Sequence, residues 1–301
     1  MIDKDNFLKE IKDKVLIGDG AMGTILQERG IASCPAIISK KSEEYKNVLD
    51  VHLMYLRSGS EVIQTNTFSA NPVKLESCGL ADKIKEVNSN AVSAAKEAKD
   101  IYLREKKADK KIYIAANLGP TGKLLRPFGD LDYEEATEAF TKQLDVLIPS
   151  GIDIILIETM MDINEALVAV EASKKVGGNI AIVCTLTFNE HGVTLMGNKA
   201  EDAVVVLSRA GCAVVGANCS VGSDKMLNVV KKMRHSDKEA RLIFQPNAGL
   251  PVMKDGEAVY NETPEIFSDN IKAYLAYRPS ILGGCCGSSP EHIKKLSEEI
   301  S

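Results

Sequence analysis

Ile154-Ile155-Leu156-Ile157-Glu158-Thr159 passes from four bulky aliphatic residues straight into an acid and a hydroxyl. A short, wholly apolar run bounded in this way reads as a strand buried on both faces, as in a parallel sheet. Residues 162–176 then carry helical periodicity, and the next apolar run, Ile180 to Cys184, reads as the following strand. The same unit recurs in both directions along the chain. Strands are expected at Val15 to Gly18, Val62 to Gln64, Ile112 to Ala115, Ala213 to Val215, Leu242 to Phe244 and Ser280 to Leu282. Helices are expected near 43–58, 82–106, 133–149, 200–210, 223–234, 264–277 and 290–300. Thr263-Pro264 and Ser289-Pro290 place a capping hydroxyl before a first-turn proline, and Asp132 has Glu135 three residues on, as in a capping box. Eight strand–helix pairs with no linker or composition break predict an α/β fold, a (β/α)8 TIM barrel forming a single domain over residues 1–301. A doubly wound open sheet is the alternative.

A barrel carries its chemistry where the strands end. Those positions read Asp19-Gly20-Ala21-Met22-Gly23-Thr24, Thr65-Asn66-Thr67-Phe68, Asn117-Leu118-Gly119-Pro120, Glu158-Thr159, Thr185, Asn218-Cys219, Pro246-Asn247 and Gly284-Cys285-Cys286. Polar and glycine-rich residues thus collect on one face and are nearly absent from the helix-to-strand loops.

The chain has 301 residues, 45% apolar and 26% charged, with a formal net charge of −5 and mixed signs throughout. These are ordinary values for a globular enzyme with a large core, and no basic footprint for nucleic acid or an anionic membrane is present. No apolar run approaches the ~20 residues of a membrane span, and the charged N-terminus does not resemble a signal peptide, so a cytoplasmic protein is expected. Seven cysteines at scattered spacings argue against a secreted disulfide framework. Cys184 and Cys212 lie within or beside apolar runs and are expected in the core. Cys34 and Cys78 fall in turn-like sequence with no partner signal.

The remaining three follow apolar strands directly: Cys219 after Val214-Val215-Gly216-Ala217-Asn218, and Cys285-Cys286 inside Gly283-Gly284-Cys285-Cys286-Gly287. The sixth and eighth strands are next-but-one neighbours in a barrel, so three thiolates can meet on one zinc ion and leave its fourth position open, as catalytic zinc requires. Competing readings of the vicinal pair are a tight turn filled by small apolar residues and a redox-active disulfide. Three thiolates make zinc a poor Lewis acid toward water or carbonyls but a good partner for another thiol, which it holds deprotonated and nucleophilic. Alkyl transfer to a substrate thiol is the expected reaction. Without substrate the fourth ligand is expected to be the Asn247 side-chain oxygen or water, with a turn-stabilising role for Asn247 as the plainer reading. Asp19 and Glu158 each end an apolar strand, where an acid is costly unless partnered. A structural role, capping the following helix or pairing with a buried base, is one reading of either acid; a substrate ammonium would serve both, with backbone N–H groups around Gly20 and Gly23 available to a carboxylate. Asn66 and Thr67 belong to the same expected pocket, one for an amino acid bearing a thiol.

The motifs at residues 19–24, 66–68, 119–122, 158–159, 218–219, 246–251 and 283–287 resemble, in order, those of the homocysteine S-methyltransferase family. They are most similar to the N-terminal homocysteine-binding module of the cobalamin-dependent methionine synthase branch. The resemblance implies a (β/α)8 barrel, zinc on Cys219, Cys285 and Cys286, and L-homocysteine as methyl acceptor, gripped by Asp19 and Glu158 and converted to methionine. It also implies methylcobalamin or another methylcorrinoid as donor, carried by a separate corrinoid-binding domain or protein. No sequence for folate, corrinoid or reactivation modules accompanies these motifs, nor the long C-terminal extension expected of the betaine-using branch. An excised module and a stand-alone transferase both remain open. Alternatives are a relative using S-methylmethionine or betaine, and a non-catalytic zinc-storing or redox-sensing barrel. A barrel aldolase is disfavoured because no lysine ends an expected strand.

Overall fold

The computed structural model describes residues 3–31, 40–107, 110–254 and 257–300. Eight parallel strands form the barrel: β1 (Leu16–Ile17), β2 (Val62–Gln64), β3 (Tyr113–Leu118), β4 (Ile154–Met160), β5 (Ala181–Leu186), β6 (Val214–Gly222), β7 (Leu242–Asn247) and, after a hairpin of β8 (Val252–Lys254) and β9 (Glu257–Val259), β10 (Ile281–Leu282). The sheet runs β1-β10-β7-β6-β5-β4-β3-β2. A parallel bridge between Gly18 and Val62 and the Glu61 N–H donated to Ile17 O at 2.7 Å join its two edges. That closure excludes the open doubly wound sheet.

Side chains alternate along each strand, so two sets separate. Ile114, Ile155, Ile182, Val215 and Phe244 face the helices, in the large outer core. Tyr113, Ala115, Ile154, Leu156, Ala181 and Val183 fill the barrel interior. A helix that the sequence reading did not anticipate, α1 (Lys4–Asp13), closes the interior from below. Its Phe7 and Ile11, one turn apart, are buried in that inner cluster, and Phe7 meets Tyr113 edge-to-face at 5.2 Å. Among the described residues no helix is long and apolar enough to cross a membrane.

The expected outer helices form at Glu43–Arg57, Ile84–Lys106, Tyr133–Leu147, Ile163–Val176, Ala200–Ala210, Ser223–Ser236, Pro264–Lys272 and Pro290–Ile300. Thr263 caps as expected, accepting from the Ile266 N–H. Asp132 does not: its side chain makes no cap hydrogen bond and instead pairs with Arg126 at 3.0 Å. Cys184 is fully buried in the core and Cys212 packs against it. Cys34 lies outside the described residues, and Cys78 is disulfide-bonded rather than partnerless.

Candidate metal centre and substrate pocket

The inward positions change character as the strands rise. Continuing the alternation past Ala115, Leu156, Val183, Gly216 and Ile243 gives Asn117, Glu158, Thr185, Asn218 and Gln245, a polar layer on an apolar stack. Above it lies a cavity of about 390 Å3, whose walls include Asp19, Asn117, Glu158, Cys219, Cys285 and Cys286.

The three thiols converge there. Cys219, Cys285 and Cys286 Sγ all lie within 4.8 Å of one another, and Cys219 Sγ is 3.8 Å from Cys286 Sγ. Each is brought in by irregular backbone at a strand end. The register of β6 against β7 shifts between Asn218 and Gly222, a bulge, and Cys219 and Ser220 sit in the left-handed region at φ 60° and 66°. On the other side, Cys285 N–H donates to Pro246 O (2.8 Å), Ala248 N–H to Cys286 O (3.0 Å) and Gly284 N–H to Asp19 O (2.9 Å). Gly287 completes this turn at φ +77°, where a Cβ would collide with the Tyr260 ring. Hydrogen bonds from Cys219 and Cys285 hold the Cys286 thiol well below its ordinary range, while its neighbours and burial push Cys285 up. A cluster that already favours one thiolate, with three sulfurs within reach of a common point, fits a zinc ion.

Two carboxylates face the same space. Asp19 is 2% exposed; its Oδ2 accepts from the Gln64 N–H at 2.7 Å, and its Oδ1 is buried without a partner. Burial, and then the nearby Glu158 charge, push its pKa well above the usual carboxylate range. Glu158 accepts from Asn117 Nδ2 at 2.6 Å and from Asn218 Nδ2 at 3.1 Å, and burial lifts its pKa to about 7. Among the described residues neither acid has an ion-pair partner. Among the described residues the pocket is therefore lined by two acids and no cation, which a ligand with an ammonium group would complement.

Of the other expected site residues, Gly20, Gly23 and Asn66 line the cavity. Thr67 does not: it is fully buried behind the wall, donating to Asn117 O at 2.7 Å, while Thr65 faces the pocket in its place. Asn247 is also buried off the wall, with Oδ1 unpartnered. Sequence reasoning gave no role to Asn117, Asn218 or Gln64. The signal was available, because a two-residue step from Tyr113 and Val214 reaches Asn117 and Asn218.

Residues 16–300 match the sequence model of the family described as homocysteine S-methyltransferase. The methionine synthases of Mycobacterium leprae (strain TN) and Mycobacterium tuberculosis (strain ATCC 25618 / H37Rv) are each 29% identical over 312 residues, an alignment covering 98% of this chain and 25% of each relative. The chain thus spans about a quarter of the length of these relatives. Among solved structures, the metallated form of the homocysteine methyltransferase MmuM from Escherichia coli aligns with a TM-score of 0.80 at 21% identity, over 96% of this chain and 97% of that one. Its oxidised form aligns at 0.81 and 22%, over 98% and 99%. At such identity the likeness speaks for the fold. With the family's sequence model matched from the first strand to the last helix, the chain belongs to the homocysteine S-methyltransferase family.

Proposed function

We propose that this protein transfers a methyl group to the sulfur of L-homocysteine to give methionine, with a zinc ion held by Cys219, Cys285 and Cys286. The observation that carries this reading is the juxtaposition, in one cavity, of three converging thiols and two cation-free buried acids. When bound, zinc supplies Lewis acidity that keeps an incoming thiol deprotonated at neutral pH. The protein's own residues do the rest. Asp19 offers its unpartnered Oδ1 and Glu158 its doubly held carboxylate to the substrate ammonium. That contact relieves two unpaired buried acids and fixes the sulfur end toward the cysteines, so that proximity and orientation supply much of the acceleration. The Gly20–Gly23 loop receives the substrate carboxylate, Asn66 forms part of the wall, and Thr67 works from behind it by holding Asn117 O. Without substrate, the fourth ligand to such an ion would be water or the buried, unpartnered Asn247 Oδ1, which would have to reach in from behind the cavity wall.

The methyl donor in this reading is a methylcorrinoid carried by another domain or protein, supported by the likeness to methionine synthases. The test is the purified chain with measured zinc content, supplied with homocysteine and methylcobalamin. Homocysteine-dependent proton release followed by methionine formation is expected. Turnover with S-methylmethionine or betaine instead would replace the donor, and metal binding with no affinity for homocysteine would overturn the reading.

A further inference from the structure

Asn218 is fully buried, and more groups meet its amide than the amide can serve. The Thr159 backbone N–H, 2.9 Å away, can only donate, so the side-chain atom facing it is the oxygen and the amide orientation is settled. Thr185 Oγ1 donates to the same Oδ1 at 2.8 Å, filling its second lone pair. The nitrogen then faces three acceptors with two hydrogens: Thr159 Oγ1 at 2.7 Å, Glu158 Oε2 at 3.1 Å and Cys285 Sγ at 3.8 Å. Thr159 is in the left-handed region at φ 59°, a conformation a β-branched residue keeps only when its surroundings hold it there. One amide therefore fixes that turn and touches both ends of the cavity.

We propose that Asn218 is a positioning residue that couples the amine-holding end of the site to its thiol cluster: with Thr159 Oγ1, the nearest acceptor, taking one N–H hydrogen, Glu158 and Cys285 share the other. The inference rests on the function proposed above for the identity of the ligand and the metal. An ammonium at Glu158 occupies carboxylate lone pairs and weakens that acceptor's claim on the amide. The freed hydrogen turns to Cys285 Sγ and withdraws charge from that sulfur, as hydrogen bonds to metal-ligating groups do. By linkage the effect is reciprocal: a change at the cysteines alters the hold on the ammonium. Substrate choice then depends on amine and thiol arriving on one molecule, beyond the separate value of each contact.

The experiment uses the cobalt(II)-loaded protein, with the sulfur-to-cobalt charge-transfer band as readout, and two probes. L-Norvaline carries the amine without the thiol; 4-mercaptobutanoate carries the thiol without the amine. In the wild type, norvaline is expected to shift the band although it has no sulfur. In Asn218→Ala the shift is lost, and the preference for homocysteine over 4-mercaptobutanoate falls about tenfold. Should the alanine variant fail to fold, Thr185→Val carries the test. It removes one of the two donors that anchor Oδ1, leaving the Thr159 N–H in place and Glu158 and the thiols untouched, so a reduced shift with about a threefold loss of preference is expected. An equal shift, or an unchanged preference, in wild type and Thr185→Val overturns the proposal. If the wild type shows no thiolate-to-cobalt band or does not bind homocysteine, the functional reading falls and this inference with it.

Discussion

Replacing Glu158 by glutamine separates a binding group from a structural one, because the two roles predict opposite behaviour. In the folded protein burial raises the Glu158 pKa from 4.5 to about 7. A raised folded pKa means the folded state holds the proton more tightly than the unfolded chain. Its contribution to stability is full below pH 4.5 and is lost as pH rises to about 7. The loss is about 3 kcal/mol at pH 8 and under about 1 kcal/mol at pH 5. Glutamine has the same shape and does not titrate. It presents an N–H to one of the two amides that now donate to the carboxylate, but that mismatch is independent of pH and cancels when two pH values are compared. Relative to wild type, Glu158→Gln should therefore gain about 2–3 kcal/mol between pH 5 and pH 8. Denaturant unfolding of the metal-free protein at the two pH values measures it. Homocysteine affinity of the zinc-loaded variant should meanwhile fall roughly 10- to 150-fold, the value of a charge-assisted hydrogen bond. Parallel stability profiles for the two proteins, or an undiminished affinity, would refute the reasoning.

Cys219→Ala, Cys285→Ala and Cys286→Ala should each weaken zinc binding severely while far-ultraviolet circular dichroism stays that of the barrel; full metal occupancy in any one of them removes that cysteine from the site. X-ray absorption on the substrate-free zinc protein should show three sulfurs and one light atom, becoming four sulfurs with homocysteine. An unchanged substrate-free spectrum in Asn247→Ala would assign the light atom to water. In Gly216→Ala the new methyl group meets the carbonyl oxygen of Ile243, its partner where β6 pairs with β7, so the loss of stability should exceed about 3 kcal/mol; a normal unfolding midpoint would show that the two strands can part.

Much of this fold was legible because each buried strand announces itself by an apolar run and each outer helix by its period. Glu158 stood out because an acid directly after Ile154-Ile155-Leu156-Ile157 contradicts its surroundings. The cysteines stood out through their glycine frame. The misses share a physical cause: groups placed by local turns or tertiary contacts that a strand or helix period does not encode. Asp132 carried a capping pattern, yet its carboxylate pairs with Arg126 at 3.0 Å and makes no hydrogen bond to the helix N–H groups. Thr67 lies beside Asn66 in sequence, but a tight turn (Thr67 N–H to Thr65 O, 2.7 Å) directs it behind the wall. Asn218 looked like a neighbour of Cys219 and little more, since its claimants at 158, 159, 185 and 285 come from three other strand ends. Helix α1 was not expected because three apolar residues in ten, Phe7, Leu8 and Ile11, make a faint pattern until the barrel supplies a hole for Phe7 and Ile11 to fill.

That small helix has a kinetic meaning. Phe7 and Ile11 fill the barrel interior beneath the site. Among the described residues the way to the cavity is therefore past the strand ends that line it, and on the proposed chemistry acceptor and donor both approach from that side. On the proposed chemistry the acceptor sits deepest and must enter first; a donor arriving early would block the passage. Methionine can depart only after the carrier has withdrawn. On the proposed chemistry the plug thus predicts an order of events, homocysteine before donor, which inhibition by excess donor in initial-rate kinetics would reveal and its absence would refute.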